Sequence, residues 1–425
     1  MSKRKPYSAL RVNEVQLQQL TRGREGLDLV VGFDIGKFHI LAVPRWSNAD
    51  FGRPWKVDNP QQIPALVGLL RQLAAGRHLR LAMEPSGTYG DALRQACADV
   101  NLDLWRVSPK AAHDYAEIFD GVPSQHDGKD AAVVAELAAL NKAVLWPYQQ
   151  KPLWEQELCR WVDWLEAQRQ ELVLWLGRLE GLLARHWPEA TRVLKLNSAV
   201  LLRLLRRYGG PQALAADTKA QARLTKWSRK KLTADKVQQL LAQARTSVGI
   251  RQSEVQIRQM QQYATEALQR RRQMQKSRKE LERLAANQEG LQAQGRAVGQ
   301  ATACVLWACV GDPRNYDSGY GYRKAMGLNL TERSSGTSQG ELHISKRGRS
   351  EARRWLYLAA LRQVKEEGVR QWYQQKKRRD GGKQATRATV AVMRKLALAL
   401  YEVGAKGATY EPGRLFAAVE AEQKQ

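Results

Sequence analysis

The sequence predicts an α/β domain followed by a longer, mostly helical region, α/β plus α in class. Two patterns point there: short β-branched apolar runs alternate with helical spacing up to about residue 143, and beyond it apolar residues step by three and four over long stretches. The length of 425 residues allows two or three domains, and 43% hydrophobic content supports packed cores rather than disorder.

After a basic N-terminal extension (1–26), LVVGFDIG and KFHILAVP are apolar runs separated by a glycine, which reads as a hairpin. FGRPWKVDN supplies a third strand, expected at an edge. IPALVGLLRQLAAG has helical spacing and stops at Gly76; LRLAMEP is a short buried strand, GDALRQACADV a helix, LDLWRVSP another strand, and helices fill 109–143. Three antiparallel strands followed by alternating helices and strands is the order of a ribonuclease-H-like (RuvC-like) fold, assigned to 27–148.

Residues 149–290 read as a helical coiled-coil linker region. Leu158, Trp161, Leu165, Leu172, Trp175, Leu179 and Leu182 form a heptad seam with Gln168 as its one polar member, ending before Pro188. A second seam, Ile257, Met260, Ala264, Ala267, Met274 and Leu281, carries Arg271 and Arg278. Between the seams, ARLTKWSRKKLTADK mixes Trp227 with Lys230 and Lys231. The C-terminal domain, 291–425, contains GRAVGQATACVLWACVGDP, whose two glycines precede a buried helix as in turns that hold a phosphate backbone. It also contains the Gly/Ser/Thr-rich loop SSGTSQGELHISKRGRS and the exposed basic link KKRRDGGK at 376–383.

The charge is unevenly spread. The whole chain carries 69 Lys and Arg against 42 Asp and Glu, net +27, while residues 1–150 hold 18 basic and 16 acidic side chains. Almost all of the excess lies after residue 150, and such an excess favours nucleic acid through phosphate neutralisation. The candidate contacts are Trp227, Lys230, Lys231, Arg271, Arg272, Lys346, Arg347, Arg349 and the run Lys376, Lys377, Arg378, Arg379. A solvated basic helix face is the competing reading for each run. No stretch approaches the roughly 18 apolar residues of a membrane span. MSKRKPYSALRVNEV lacks the apolar core of a signal peptide, so no membrane partner and a cytoplasmic location are expected. The four cysteines are too scattered for a disulfide framework and read as core thiols.

The chemistry is expected from carboxylates. Asp34 interrupts a buried strand, and a buried carboxylate must be neutralised or hold a cation. Glu84 closes LRLAMEP, and Asp127 and Asp130 in HDGKDAA are three apart, on one helical face. In a ribonuclease-H-like fold these positions converge, and four carboxylates are hard oxygen ligands suited to Mg²⁺. Two such ions about 4 Å apart clamp the attacking and leaving oxygens of a phosphodiester. Each residue also has an ordinary reading: Asp127 as a helix cap, Glu84 as a surface acid, Asp34 as a partner of Lys37.

FDIGKFHI, MEPSGTYG, the D-x-x-D of HDGKDA and the late SGTSQGELHISKRG together resemble the DEDD transposases of bacterial insertion sequences, the IS-one-ten family. Its members include bridge-RNA-guided recombinases and it is related to Piv-type DNA invertases. The resemblance spans the first and last domains; the helical region matches only as a spacer. It implies that Asp34, Glu84, Asp127 and Asp130 bind Mg²⁺ and that Ser335, preceding Gly336, is the nucleophile, in a C-terminal serine transposase domain. It also implies donor and target DNA, an element-encoded guide RNA, and a homodimer or homotetramer in which one subunit's serine completes another's acid site. His126 stands where many members have Thr, and Ser334 beside Ser335 leaves the nucleophile ambiguous by one position. Ser345 reads as a helix cap or phosphate contact.

Three alternatives compete with this expectation. A metal-dependent junction nuclease of the same fold needs the acids and not the serine. The phosphate-gripping hairpin of actin-like sugar kinases also begins with an aspartate and a glycine on a first strand, as in FDIG, but no second Gly-rich phosphate loop follows in a matching later half, and a net charge of +27 is odd for a small-molecule kinase. A structural RNA-binding protein accounts for the basic runs and gives no reason for the four acids.

Overall fold

A computed structural model of the chain describes residues 9–85, 87–119, 127–148, 151–228, 232–332, 342–382 and 385–417. The chain forms two compact units, residues 1–150 and 151–425.

The first unit is a mixed seven-stranded sheet with helices. Its elements are β1 (Leu10–Arg11), α1 (Leu17–Thr21), β2 (Leu29–Ile35), β3 (His39–Trp46), β4 (Trp55–Asp58), α2 (Ile63–Ala74), β5 (Leu79–Met83), α3 (Asp91–Ala98), β6 (Leu104–Arg106), α4 (Pro109–Phe119), α5 (Asp127–Ala139) and β7 (Val144–Leu145). The sheet order is β1-β4-β3-β2-β5-β6-β7; the pairs β4–β3, β3–β2 and β6–β7 are antiparallel, and β1–β4, β2–β5 and β5–β6 are parallel. The expected hairpin is present. The third strand is not an edge: β1, from the basic N-terminal segment, pairs with β4 in parallel, and Val12 is buried in the same core. A two-residue strand carries no periodic signal by which a sequence could announce it.

Strand alternation sorts the side chains of β2 by face. Leu29, Val31, Phe33 and Ile35 enter one core with Leu66 and Leu70 of α2 and Leu93 and Cys97 of α3. On β5, Leu81 and Met83 join that core, whereas Ala82 packs on the other face against Val133, Val134 and Ala138 of α5.

The second unit is helical, in keeping with the expected class. α6 (Leu153–His186) is followed by α7 (Ala190–Val193), α8 (Ala199–Tyr208), α9 (Pro211–Ala216), α10 (Ala220–Ser228), α11 (Ala234–Arg245) and α12 (Glu254–Ala285). α12 starts at a capping box, Ser253 accepting from the Gln256 N–H while the Gln256 side chain accepts from Ser253. The two seams meet each other within the chain, antiparallel. Leu158, Val162 and Leu165 pack with Leu281, Leu284 and Ala285 at one end, and Leu179 and Leu183 with Met260 and Ala264 at the other. Trp175 lies 5.4 Å from Tyr263, and Glu171 pairs with Arg270.

A helical bundle completes the unit: α13 (Glu289–Val298), α14 (Gln300–Val310), α15 (Gly319–Ala325), the hairpin β8 (Leu330–Thr331) and β9 (His343–Ile344), α16 (Ser350–Gln363), α17 (Glu367–Arg379), α18 (Ala385–Lys406) and α19 (Pro412–Leu415). Its largest core gathers Leu306, Tyr322, Leu356, Val392 and Leu396. Among the described residues no helix is long and apolar enough to cross a membrane.

Candidate active site

The acidic side of the first unit is built by one close approach. On the face of β2 opposite the Phe33 core lie Val30, Gly32 and Asp34. At Gly32 a Cβ would run into the carbonyl oxygen of Ala131 and stand 2.5 Å from the Ala135 nitrogen, so α5 rests directly on bare strand backbone. The direction of α5 follows from two contacts. Arg80 Nη1 donates to the Ala138 carbonyl at 2.7 Å, Arg45 pairs with Glu136, and both arginines stand level with Val30, at the amino end of β2. The second half of α5 therefore lies at that end, and its first turn lies toward the carboxyl ends of β2 and β5.

Asp34 and Glu84 are at those ends. β2 and β5 are in parallel register with Phe33 opposite Met83, so the residues one step on, Asp34 and Glu84, are neighbours and share the α5 face. Both are half-buried. Asp34 is the next-to-last residue of β2 rather than its middle, which explains its partial exposure. Burial and then the negative charge of Asp130 push the Glu84 carboxyl above its ordinary range, so Asp130 of the first α5 turn lies near enough to Glu84 to repel it. Asp34 and Asp130 each have further interactions within the chain. Asp127 opens α5; its side chain lies outside the described residues, as does His126. Among the described residues no three His, Cys, Asp or Glu side chains are grouped closely enough to hold a metal ion.

Asn59, which the sequence reading did not single out, secures the loops here. Its buried amide donates to the Gly36 carbonyl at 3.0 Å and the Tyr89 carbonyl at 3.1 Å, tying the β2–β3 turn to the segment after β5. Gly32 was equally overlooked, although an isolated glycine inside a strand pattern is itself a sign of close backbone approach. No sequence signal distinguishes Asn59 from any other turn asparagine.

In the second unit, β8 and β9 bracket residues 333–341. Ser334, Ser335 and Gly336 fall within this span, outside the described residues. Beside the hairpin is a cavity of about 380 Å³ lined by Gly321, Lys324, Ala325, Asn329, Thr331, Ser345 and Arg347. The Ser345 hydroxyl donates to Asn329 Oδ1 at 3.0 Å and accepts from the Arg347 N–H at 3.4 Å. It does not cap α16, whose N-cap residue is Arg349.

A family model described as the transposase IS116/IS110/IS902 family matches residues 294–374, which run from α13 to α17 and include this hairpin. The chain is also similar to the insertion element IS110 uncharacterized 43.6 kDa protein of Streptomyces coelicolor. The two are 26% identical over 372 residues, covering 85% of this chain and 90% of that relative. Both findings support an IS110-family transposase.

The candidate nucleic-acid residues fall in three environments. Lys346, Arg347 and Arg349 are exposed beside the hairpin; Arg349 is within 3.8 Å of Asp163 and 3.9 Å of Glu351. Trp227 is half-buried, packed on the helical core with its ring 6.4 Å from Tyr208, and Lys230 and Lys231 lie outside the described residues. On α12, Arg272 is exposed while Arg271 turns inward to donate to the Asn197 carbonyl. Burial and the neighbouring Arg278 push the Arg271 guanidinium below its ordinary pKa. Lys376, Lys377, Arg378 and Arg379 are not a link. They form the last turn of α17, where positive charge is favoured by the helix dipole, and Lys376 pairs with Asp380 at 2.7 Å. Of the two glycines before the buried helix, Gly295 lies inside α13 and Gly299, at φ +88°, forms the α13–α14 junction.

Proposed function

We propose that this transposase is an RNA-guided DNA recombinase of an insertion sequence, cutting and rejoining strands through Ser335 with Mg²⁺ at Asp34, Glu84, Asp127 and Asp130. One observation carries the reading: Asp34 and Glu84 end adjacent parallel strands on the face where α5 begins, and Glu84 feels the charge of Asp130. Carboxylates that repel one another are poor structural choices and a fitting donor set for a hard divalent cation. The order β4-β3-β2-β5-β6 supports a ribonuclease-H-like arrangement of the first unit.

In this mechanism Ser335 Oγ attacks the phosphorus of the scissile linkage, the bond to the 3′ oxygen breaks, and a 5′-phosphoserine ester forms. A free DNA 3′-hydroxyl reverses the step on a new strand, so the phosphodiester energy is conserved without ATP. Asp34, Glu84, Asp127 and Asp130 would hold Mg²⁺, which would supply Lewis-acid stabilisation of charge developing at the phosphate. Donor and target DNA are read by pairing with an element-encoded guide RNA. The protein works as a homodimer or homotetramer in which one subunit's serine serves another's acids. With both seams paired inside one chain, this oligomer rests on the family resemblance alone. The location is the bacterial cytoplasm, and a DNA-invertase role is the same chemistry on a different substrate arrangement.

The test is denaturing electrophoresis of protein, guide RNA, labelled DNA and Mg²⁺, comparing wild type with Ser335→Ala and Asp34→Ala. A protein–DNA adduct lost in both variants is the expected result. Free cut DNA formed as readily by Ser335→Ala would make the protein a metal-dependent nuclease instead.

A further inference from the structure

The cavity beside the β8–β9 hairpin has the chemistry of an anion site. Among the described residues its polar lining is Lys324, Arg347, Asn329, Thr331 and Ser345, with no carboxylate among them. Among the described residues neither Lys324 nor Arg347 has an ion-pair partner.

Positive charge also gathers between α15 and α18. Arg323 of α15 and Arg394 of α18 each bury an Nε that has no hydrogen-bond partner. Burial and the charge of Arg323 push Arg394 below its ordinary pKa, so two guanidiniums are held near each other.

The cavity wall is also set in place before any ligand arrives. Ser345 N–H donates to the Asn329 carbonyl at 2.8 Å and Lys346 N–H to the Gly327 carbonyl at 3.1 Å. Lys346 holds a left-handed φ of 54°, a conformation a lysine adopts only when its neighbours impose it. Gly327 has no Cβ to hold off the Arg347 carbonyl, which would stand 2.7 Å from one. Donors fixed in this way need little ordering on binding.

We propose that this cavity, between α15 and the β8–β9 hairpin, binds one backbone phosphate of the DNA strand presented to residues 333–341, with Lys324 and Arg347 as its charged donors. The identity of the ligand as DNA rests on the proposal that Ser335 attacks DNA, because the hairpin brackets that serine. The site holds the strand in place without reading its sequence.

The experiment is fluorescence anisotropy of the full-length protein with a mixed-sequence DNA duplex, and with RNA of the same length, across a salt series. Lys324→Ala/Arg347→Ala should bind DNA about tenfold more weakly at about 0.15 M salt, since charge-assisted bonds are lost. Its slope of log affinity against log salt should fall by about 0.9, one phosphate's worth. Lys324→Arg, which keeps the charge, should retain the wild-type slope. Wild-type affinity and slope in the double variant would overturn the proposal, and so would a loss confined to RNA. Ser335→Ala should bind DNA like wild type. Failure of the nucleophile assignment would appear instead as an adduct formed by Ser335→Ala, so the two readings fail separately.

Discussion

Replacing Gly32 by Ala tests whether the acidic site depends on the bare backbone of β2. The added Cβ would lie 2.5 Å from the Ala135 nitrogen and 2.9 Å from the Ala135 Cβ, where ordinary contacts begin at 3.4 Å. Helix backbone cannot swing aside as a flexible side chain does, so α5 must shift by about 1 Å or the sheet must bend. Overpacking of this kind costs about 1–3 kcal/mol, and clash with a helix backbone places this case near the upper end. For a unit of this size that corresponds to a fall in Tm of roughly 5–10 °C. The effect on chemistry should be larger, because α5 carries Asp130 and a displacement of about 1 Å in a reacting constellation costs on the order of 10²-fold. Circular dichroism melting and the rate of adduct formation measure the two effects. A variant with wild-type Tm and wild-type rate would refute the argument that Gly32 sets the height of α5 above the sheet.

Two further perturbations probe electrostatics. Asp130→Asn removes the charge that repels Glu84, so the Glu84 carboxyl should titrate lower than in wild type while still feeling its burial; infrared titration of the labelled carboxyl reads this. Because the folded pKa of Glu84 is raised, the folded state takes up a proton, and its contribution to stability falls as pH rises from 4.5 through the folded value. Mg²⁺ should therefore raise Tm more at about pH 7 than near pH 4.5, and an equal effect at both pH values would count against these carboxylates as its ligands. Glu166, between α6 and α16, accepts from Trp355 Nε1 at 2.7 Å and pairs with Arg354 and Arg169. Burial opposes its ionisation, but these partners outweigh it and hold the carboxyl below its ordinary range. Its contribution is present above pH 4.5 and lost as pH falls through the folded value. Glu166→Ala should cost about 3–5 kcal/mol in chemical denaturation, because it strands the arginines. A change below about 1 kcal/mol would show that the network is not buried as described.

What the sequence revealed depended on whether a feature repeats. The apolar run LRLAM places Glu84 just past a strand end and HDGKDAA places Asp127 and Asp130 in the first turn of a helix, whereas Asp34, read inside its strand, lies next to the end of β2. Features resting on a single contact were invisible: the pairing of Leu10–Arg11 with β4, the grip of Asn59 on two loops, and the reach of Arg271 to a carbonyl 74 residues away in sequence. The heptad seams announced that each long helix needs a partner. They held no information on whether that partner lies in the same chain, because a seam records only the shape of the surface it meets. The Lys376–Arg379 run was misread because Gly381 and Gly382 follow it, yet glycine after a basic last turn is equally the signature of a helix C-terminus.

Two locally unfavourable choices coincide at one place in the first unit. Glycine in a buried strand interior forgoes side-chain packing and stiffness, and neighbouring half-buried carboxylates repel. A sequence selected for the fold alone would place Ala or Val at position 32 and allow α5 a wider spacing, and it would separate Glu84 from Asp130. The first choice brings the head of α5 down to the sheet; the second makes that close spacing costly unless something positive is shared. Each is explained by the other only if the proximity itself is what is used, as it is in a cation site held by rigid elements. The near balance of charge in residues 1–150 fits the same logic, because carboxylates amid an excess of Lys and Arg would be neutralised by side chains before any cation reached them.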